Sequence, residues 1–151
     1  LAFRPPAAPP ARDRPCYALP MATHVTPFLM FEGNAEAAMR FYVSLFRGAE
    51  VLEALRYGAG EPGPEGTLKR GAFVIAGQKI RCIDSFVKHA FTFTPASSLF
   101  VDCESEEEVN DLAAKLGEGG GALMPPGAYG FSRRFAWVND RYGVSWQLNC
   151  A

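Results

Sequence analysis

The amino-acid sequence predicts an α+β fold in which a βαβββ unit occurs twice within one domain. Each half contains one amphipathic helix between strand-like runs, and the two helices lie 71 positions apart. Their capping residues, Asn34 and Ser105, differ by 71 (105 − 34), and so do the glycines that end them, Gly48 and Gly119 (119 − 48). Internal duplication of this kind indicates two equivalent units. Side by side, they can form a curved, barrel-like mixed-sheet cleft with the helices outside.

The first unit begins with a buried strand over residues 24–31. Asn34 can cap the following helix, whose apolar positions recur at i, i+3 and i+4 until Gly48. A strand over 49–57 comes next, then a glycine- and proline-rich loop over 58–66. Two strands that turn about Gly77 complete the unit, at residues 67–76 and 78–84. The apolar face of the helix consists of Ala35, Ala38, Met39, Tyr42, Leu45 and Phe46.

The second unit repeats this order. A strand over 97–103 leads into a helix, where Ser105 and Glu108 have the spacing of a capping box. The helix buries Val109, Leu112, Ala113 and Leu116, and it ends in the glycines at 119–121. The strands that follow are predicted at 122–125, 131–139 and 142–149.

Composition limits the classes of function that the chain can have. Its 151 residues suit a single domain, and a formal net charge of −1 gives no basic surface for nucleic acid. No apolar run approaches the roughly 20 residues that cross a bilayer. The four cysteines are Cys16, Cys82, Cys103 and Cys150. They form no CxxC pair, which favours reduced thiols and a cytoplasmic protein.

The domain boundaries follow from the prolines near the beginning of the chain. Residues 1–22 contain repeated prolines that prevent a helix, and we expect a disordered N-terminal extension there. The remaining residues, 23–151, are expected to form the single domain, with halves at about 24–85 and 96–150.

Several phrases of the sequence resemble one known superfamily. NAEAAMRFYVSLF and NDRYGVSWQL are similar to the vicinal oxygen chelate proteins, which include glyoxalases, extradiol dioxygenases and bleomycin-resistance proteins. TPFLMFEGNAEAAMRFY, AGQKIRCIDS and FTFTPASSLFVDC resemble its PhnB-like branch, often labelled 3-demethylubiquinone-9 3-methyltransferase. The resemblance covers residues 25–148 and implies a glyoxalase-like fold and a homodimer.

The resemblance also implies a divalent metal held by one residue from the first and last strand of each half. The positions that carry over are Thr26 or Pro27, Asp84, Ser97 or Ser98, and Gln147. Only Asp84 is a charged ligand, Gln147 stands where a glutamate is usual, and His24 lies two residues early. Three or four converging donors are needed for tight binding. We therefore expect a degenerate metal site, with Asp84, Gln147 and His24 as the remaining candidates and no cofactor.

The last strand predicts a pocket. Val144, Trp146 and Leu148 alternate with polar residues, so one face packs under the helices and the other faces a cavity. Alternatively, the polar residues satisfy one another or bound water. The predicted pocket residues are Asp84, Ser98, Ser145, Gln147, Asn149, Phe28, Phe93 and Tyr129.

Other residues have two open interpretations each. Phe86, Phe91 and Phe93 crowd the linker between the halves, where they line either a ligand cleft or a dimer interface. Tyr129, with Phe131, can form a lid. The histidines, His24 and His89, are expected to be exposed and to have no catalytic role. Asp84 is either a ligand or base, or a residue that caps a turn.

Four functions remain open from the sequence. The first is a small-molecule pocket protein with a degenerate metal site. The second is a metal-dependent lyase, isomerase or dioxygenase that uses Asp84, Gln147 and a third donor. The third is the methyltransferase of the branch label, although the glycines at 119–121 follow a helix instead of preceding one, unlike a nucleotide site. The fourth is a dimeric interaction module.

Overall fold

A computed structural model describes residues 22–151, and within them the order βαβββ occurs twice. The first unit consists of β1 (Phe28–Phe31), α1 (Ala35–Leu45), β2 (Glu50–Arg56), β3 (Leu68–Ile75) and β4 (Gln78–Asp84). The second consists of β5 (Leu99–Asp102), α2 (Glu106–Gly117), β6 (Gly121–Gly127), β7 (Arg134–Asn139) and β8 (Ser145–Cys150). The predicted duplication is confirmed. The extension expected over 1–22 lies outside the described residues, apart from residue 22.

Each unit forms one four-stranded mixed sheet. The strand orders are β1-β4-β3-β2 and β5-β8-β7-β6, so the two sheets have the same topology. In each sheet the first strand pairs in parallel with the last, and the remaining pairs are antiparallel. The parallel pairing places the first strand of each unit at one edge of its sheet, beside the last strand of the same unit. The linker between the units runs from β4 to β5.

Several strands are shorter or more irregular than the sequence predicts. β7 begins at Arg134 instead of residue 131, and β8 begins at Ser145 instead of residue 142. β1 begins at Phe28 instead of residue 24, because Pro27 lacks the N–H that would continue the ladder; its carbonyl still accepts the Arg81 N–H. β6 contains Pro125 and Pro126, which an edge strand tolerates, and it pairs with β7 through two register shifts.

The two helices begin with different caps. Ser105 caps α2 as predicted, since its Oγ accepts the Glu108 N–H at 3.1 Å; the Glu108 carboxylate accepts the Glu104 N–H. Asn34 precedes α1, but its side chain makes no capping bond. Asp84, at the end of β4, accepts the Gly33 and Ala35 N–H groups instead, at 2.7 and 2.9 Å. The predicted Asn34 cap is therefore wrong.

One hydrophobic core joins the two units. Helix α1 buries Ala35, Ala38, Met39 and Tyr42, and the Tyr42 ring lies 5.0 Å from the ring of Trp146 on β8. Helix α2 lies mainly against its own sheet. Within residues 22–151, no helix is long and apolar enough to cross a membrane.

Gly120 sits where no side chain fits, and this gives a first prediction. A Cβ at Gly120 would lie 2.0 Å from the Asn139 carbonyl oxygen, whereas one at the neighbouring Gly121 meets nothing within 4 Å. We expect Gly120→Ala to lower the free energy of unfolding by about 2 kcal/mol and Gly121→Ala to change it by less than about 0.5 kcal/mol. Urea unfolding of both variants measures the difference, and equal effects would contradict the close backbone packing.

Candidate functional site

A cavity of about 460 Å³ lies between the two units and is called the seam cavity here. Residues from β1, β5 and β8 line it, together with the linker that joins the units. Phe28, Phe93, Ser98 and Ser145 are among the residues that line it. Its volume falls in the range that small-molecule sites occupy. These four belong to the eight residues predicted to line a pocket, and that they bind a ligand stays a prediction.

A hydrogen-bonded group of polar side chains borders the seam cavity. Ser145 is buried, and its Oγ accepts the Trp137 indole N–H at 2.8 Å. The Ser145 Oγ also lies 2.7 Å from the Ser98 Oγ, which accepts an N–H from the Gln147 amide at 3.2 Å. The sheet register explains this grouping, because Trp137 is paired with Gln147 across adjacent strands.

The two hydroxyl groups supply two protons, but only one of them is used in a short hydrogen bond. Only one hydroxyl donates in the bond between Ser98 and Ser145. If Ser98 donates, Ser145 has no further acceptor among residues 22–151. If Ser145 donates, the Ser98 proton is accepted by the Pro95 carbonyl at 3.5 Å, a long and weak hydrogen bond. In either arrangement a ligand oxygen could offer one hydroxyl proton a better acceptor than the described residues do.

The other predicted pocket residues lie elsewhere. Asn149 donates to the Asp102 carboxylate at 3.1 Å, so the far end of the polar row is satisfied by a neighbour. The Tyr129 hydroxyl donates to the Pro125 carbonyl, and its ring stacks on Phe131. Neither residue lines the seam cavity. Their roles in a pocket or a lid stay predictions.

Asp84 is buried, and both its oxygens have partners. Besides the two amides before α1, its Oδ2 accepts the Leu68 N–H at 2.9 Å. His24 lines a different, open depression with Lys79 and Arg81, and the Gln147 amide is bonded to Ser98. No group of three His, Cys, Asp or Glu residues converges anywhere within 22–151. These donors do not fit a divalent metal, which needs several free ligands around one point.

A second buried carboxylate, Asp140, was not singled out from the sequence. Its Oδ1 accepts the N–H groups of Tyr142 and Val144, at 2.8 and 3.0 Å. Its Oδ2 accepts the Tyr42 hydroxyl at 2.6 Å and the Trp146 indole N–H at 2.9 Å. The available signal was an acid at the turn between two apolar strands. Because Tyr42 belongs to the first unit, Asp140 ties the two units together.

Two thiols and one phenol in the described part of the chain have raised pKa values, because each is wholly or partly buried. Burial raises the pKa of Cys82 to about 12 and that of Cys103 to about 11. Burial, followed by the neighbouring Asp140 carboxylate, also raises the pKa of Tyr42. In each case the neutral form is favoured in the folded state, so the unfolded chain loses these protons at lower pH.

This predicts a loss of stability at alkaline pH. The ordinary pKa of a cysteine here is 9.0, so the contribution of Cys82 is present below pH 9 and is lost as the pH rises toward 12. We expect the urea midpoint to fall between about pH 8 and about pH 10.5. Cys82→Ala should reduce the fall, even though it lowers stability at both pH values. An unchanged pH dependence in this variant would contradict the prediction.

The repeated unit, the strand pairing and the cavity between the units define a glyoxalase-like fold of the vicinal oxygen chelate type. The chain belongs to the 3-demethylubiquinone-9 3-methyltransferase family, because the sequence model of that family matches residues 23–149. A PhnB protein from Bacillus cereus is 54% identical, with a TM-score of 0.82; the match covers 84% of this chain and 98% of that one.

Two further solved structures have a similar fold. Protein PA1353 from Pseudomonas aeruginosa is 25% identical, with a TM-score of 0.74, over 85% of this chain and 98% of that one. The fosfomycin resistance protein FosX from Listeria monocytogenes is 16% identical, with a TM-score of 0.56, over 87% and 94% of the two chains. The latter shows the fold alone. None of the curated proteins matches the chain.

Proposed function

We propose that this protein binds a small organic molecule in the seam cavity and does so without a divalent metal. The observation that carries the proposal is the Ser98 and Ser145 pair, in which one hydroxyl proton lacks a short hydrogen bond, beside apolar walls. Phe28 and Phe93 line the same cavity and can cover the apolar part of a ligand. A carbonyl or ether oxygen on that ligand would accept this proton.

Two serine variants test the proposal directly. With a ligand found by screening small carbonyl compounds, we expect Ser98→Ala and Ser145→Ala each to weaken binding by about tenfold, the effect of one lost hydrogen bond. Ser44→Ala is the matched control, because the Ser44 hydroxyl is exposed and bonds only the Phe41 carbonyl. Equal affinities in all three variants would remove the seam cavity as the binding site.

We further propose that the superfamily's metal site is degenerate in this chain. Asp84 accepts three backbone N–H groups, so both its oxygens already have partners, and Gln147 carries no charge. A metal-dependent lyase, isomerase or dioxygenase would need at least three converging donors, and the described residues supply no such group.

Metal content and thermal stability test this second proposal. The purified protein should contain far less than one metal ion per chain. Nickel, zinc, manganese, iron(II) and magnesium should each leave the melting temperature unchanged. A metal that bound only the folded state at 100 times its Kd would add about 2.7 kcal/mol. One ion per chain together with a rise in Tm would restore the enzyme interpretation.

Methyl transfer, the activity in the family's name, has less support in the geometry. Methyl-donor nucleotides commonly bind where a glycine-rich turn leads from a strand into a helix. Here the glycines at 119–121 lead from α2 into β6, the opposite direction. We expect no binding of S-adenosylmethionine in equilibrium dialysis, and measurable binding would reopen this function.

We also propose a homodimer in a reducing cytoplasm. Large apolar side chains are exposed on several elements, among them Phe100 at 56% and Phe131 at 67%. Such side chains often mark a protein interface. The three cysteines of the described part are free thiols. Light scattering after size exclusion would detect the dimer, and a strictly monomeric protein at high concentration would contradict it.

A further inference from the structure

A second cavity, also of about 460 Å³, adjoins the linker between the units and is called the linker cavity here. It shares Phe28, Thr92 and Phe93 with the seam cavity but has its own polar groups. Its apolar walls are Phe28, Met30, Phe31, Phe91 and Phe93. Aromatic walls of this kind favour a flat apolar ligand.

His89 lines the linker cavity and is held by three contacts. Its backbone N–H donates to the Glu32 carboxylate at 3.0 Å. Its ring nitrogen Nε2 lies 2.9 Å from the Ser85 Oγ, and the ring stacks on Phe91 with the centroids 4.8 Å apart. A side chain fixed at so many points is preorganised for binding. The expectation that His89 is an exposed bystander does not describe this half-buried, bonded residue.

The position of the Ser85 hydroxyl proton decides which nitrogen of His89 is free. The Val87 carbonyl lies 3.0 Å from the Ser85 Oγ and can accept this proton. With the proton on that bond, Oγ accepts from His89 at 2.9 Å, and Nε2 carries the ring proton. Nδ1 keeps its lone pair in this tautomer and bonds none of residues 22–151. This tautomer gives the cavity an acceptor nitrogen on one of its lining residues.

The neighbouring groups disfavour an anionic ligand. Glu32 also lines the cavity, and its carboxylate pairs with Lys88 at 3.1 Å. The same carboxylate accepts the His89 backbone N–H, and this hydrogen bond contributes most to lowering the pKa of Glu32. An anionic ligand would be repelled by this carboxylate. Asn34 adds an amide that makes no capping bond, because Asp84 has taken over that role.

We propose that the linker cavity binds a neutral phenol, with the aromatic ring against the phenylalanines and the hydroxyl donating to Nδ1 of His89. The phenol supplies the donor that Nδ1 requires, and the amide of Asn34 can bond the phenol oxygen. The polar groups of this site differ from Ser98 and Ser145 in the adjoining seam cavity, so the proposal does not depend on the function proposed for those serines.

Calorimetry with two matched probes tests the proposal. 4-Methylphenol and its methyl ether, 4-methylanisole, have the same ring, but only the phenol can donate. At about pH 8 a phenol keeps its proton. We expect the full protein to bind the phenol about tenfold more tightly than the ether. His89→Phe keeps a ring on Phe91 and should bring this ratio close to one, whereas Ser44→Ala, at an exposed serine on α1 that lines neither cavity, should leave it unchanged.

Several results would overturn the proposal. The native protein could fail to bind 4-methylphenol or bind both probes equally. The ratio of the two affinities could also persist in His89→Phe, or it could be lost in Ser98→Ala. The last result would move the phenol to the seam cavity. If His89→Phe does not fold, Ser85→Ala replaces it. Without the Ser85 hydroxyl the imidazole is no longer held in one tautomer, and the ratio should again fall; an unchanged ratio rejects the site.

Discussion

Asp140→Ala is expected to lower the free energy of unfolding by about 4 kcal/mol, the size of effect seen when one partner of a buried charged contact is removed. Asp140 is 3% exposed and accepts four hydrogen bonds. Without it, the Tyr42 hydroxyl and the Trp146 indole N–H lose their acceptor inside the core. Equilibrium urea unfolding, followed by circular dichroism, measures the change.

Two further variants make this result specific. Asp111→Ala removes an exposed carboxylate that pairs with Lys115 on α2, and we expect a loss below about 1 kcal/mol. Tyr42→Phe removes only one of the four donors and should cost about 1 kcal/mol. If Asp140→Ala were no less stable than Asp111→Ala, the buried contacts of Asp140 would have no energetic importance.

Asp84→Ala is the second large effect, with an expected loss of about 3 kcal/mol. Asp84 accepts N–H groups from Gly33, Ala35 and Leu68, and the first two lie where α1 begins. The variant leaves these donors unpaired and removes a negative charge from the positive end of the helix. Asp84→Asn keeps an acceptor oxygen without the charge, so its free energy of unfolding should lie between those of Asp84→Ala and the native protein.

The same variant separates a structural from a metal-binding role. A metal ligand would make the stability of the native protein sensitive to a chelator, and Asp84→Ala would abolish that sensitivity. With a purely structural role, EDTA leaves the unfolding midpoint of the native protein unchanged, and the variant is equally destabilised with or without it. A fall in the native midpoint on adding EDTA would contradict the structural role.

The fold could be predicted because its signals are local. The spacing of Ala35, Ala38, Met39 and Tyr42 is helical within one short segment, and the structure buries these four residues. The matching spacing in the second half revealed the duplication. Ser105 and Glu108 are only three residues apart, so their cap was also readable.

The parts that sequence reasoning missed depend on distant residues. Asn34 has the chemistry of a cap, but Asp84, about fifty positions later, reaches the same amides and displaces it. Nothing near Asp140 indicates that a tyrosine of the other unit supplies its partner across 98 positions. The bond between Ser85 and His89 is local, yet it depends on a linker conformation that no periodic pattern specifies.

The contact between Tyr42 and Asp140 has a consequence for the history of the duplicated chain. The position equivalent to Tyr42 in the second unit, 71 residues later, is Ala113, and the first unit's turn between β3 and β4 holds Ala76 and Gly77 instead of an acid. The two copies have therefore diverged into complementary parts, one donating and one accepting. A chimeric chain built from two first units would keep the backbone pattern but bury two tyrosine hydroxyls without an acceptor. In this respect the two halves are not interchangeable, because the first supplies the donor and the second the acceptor.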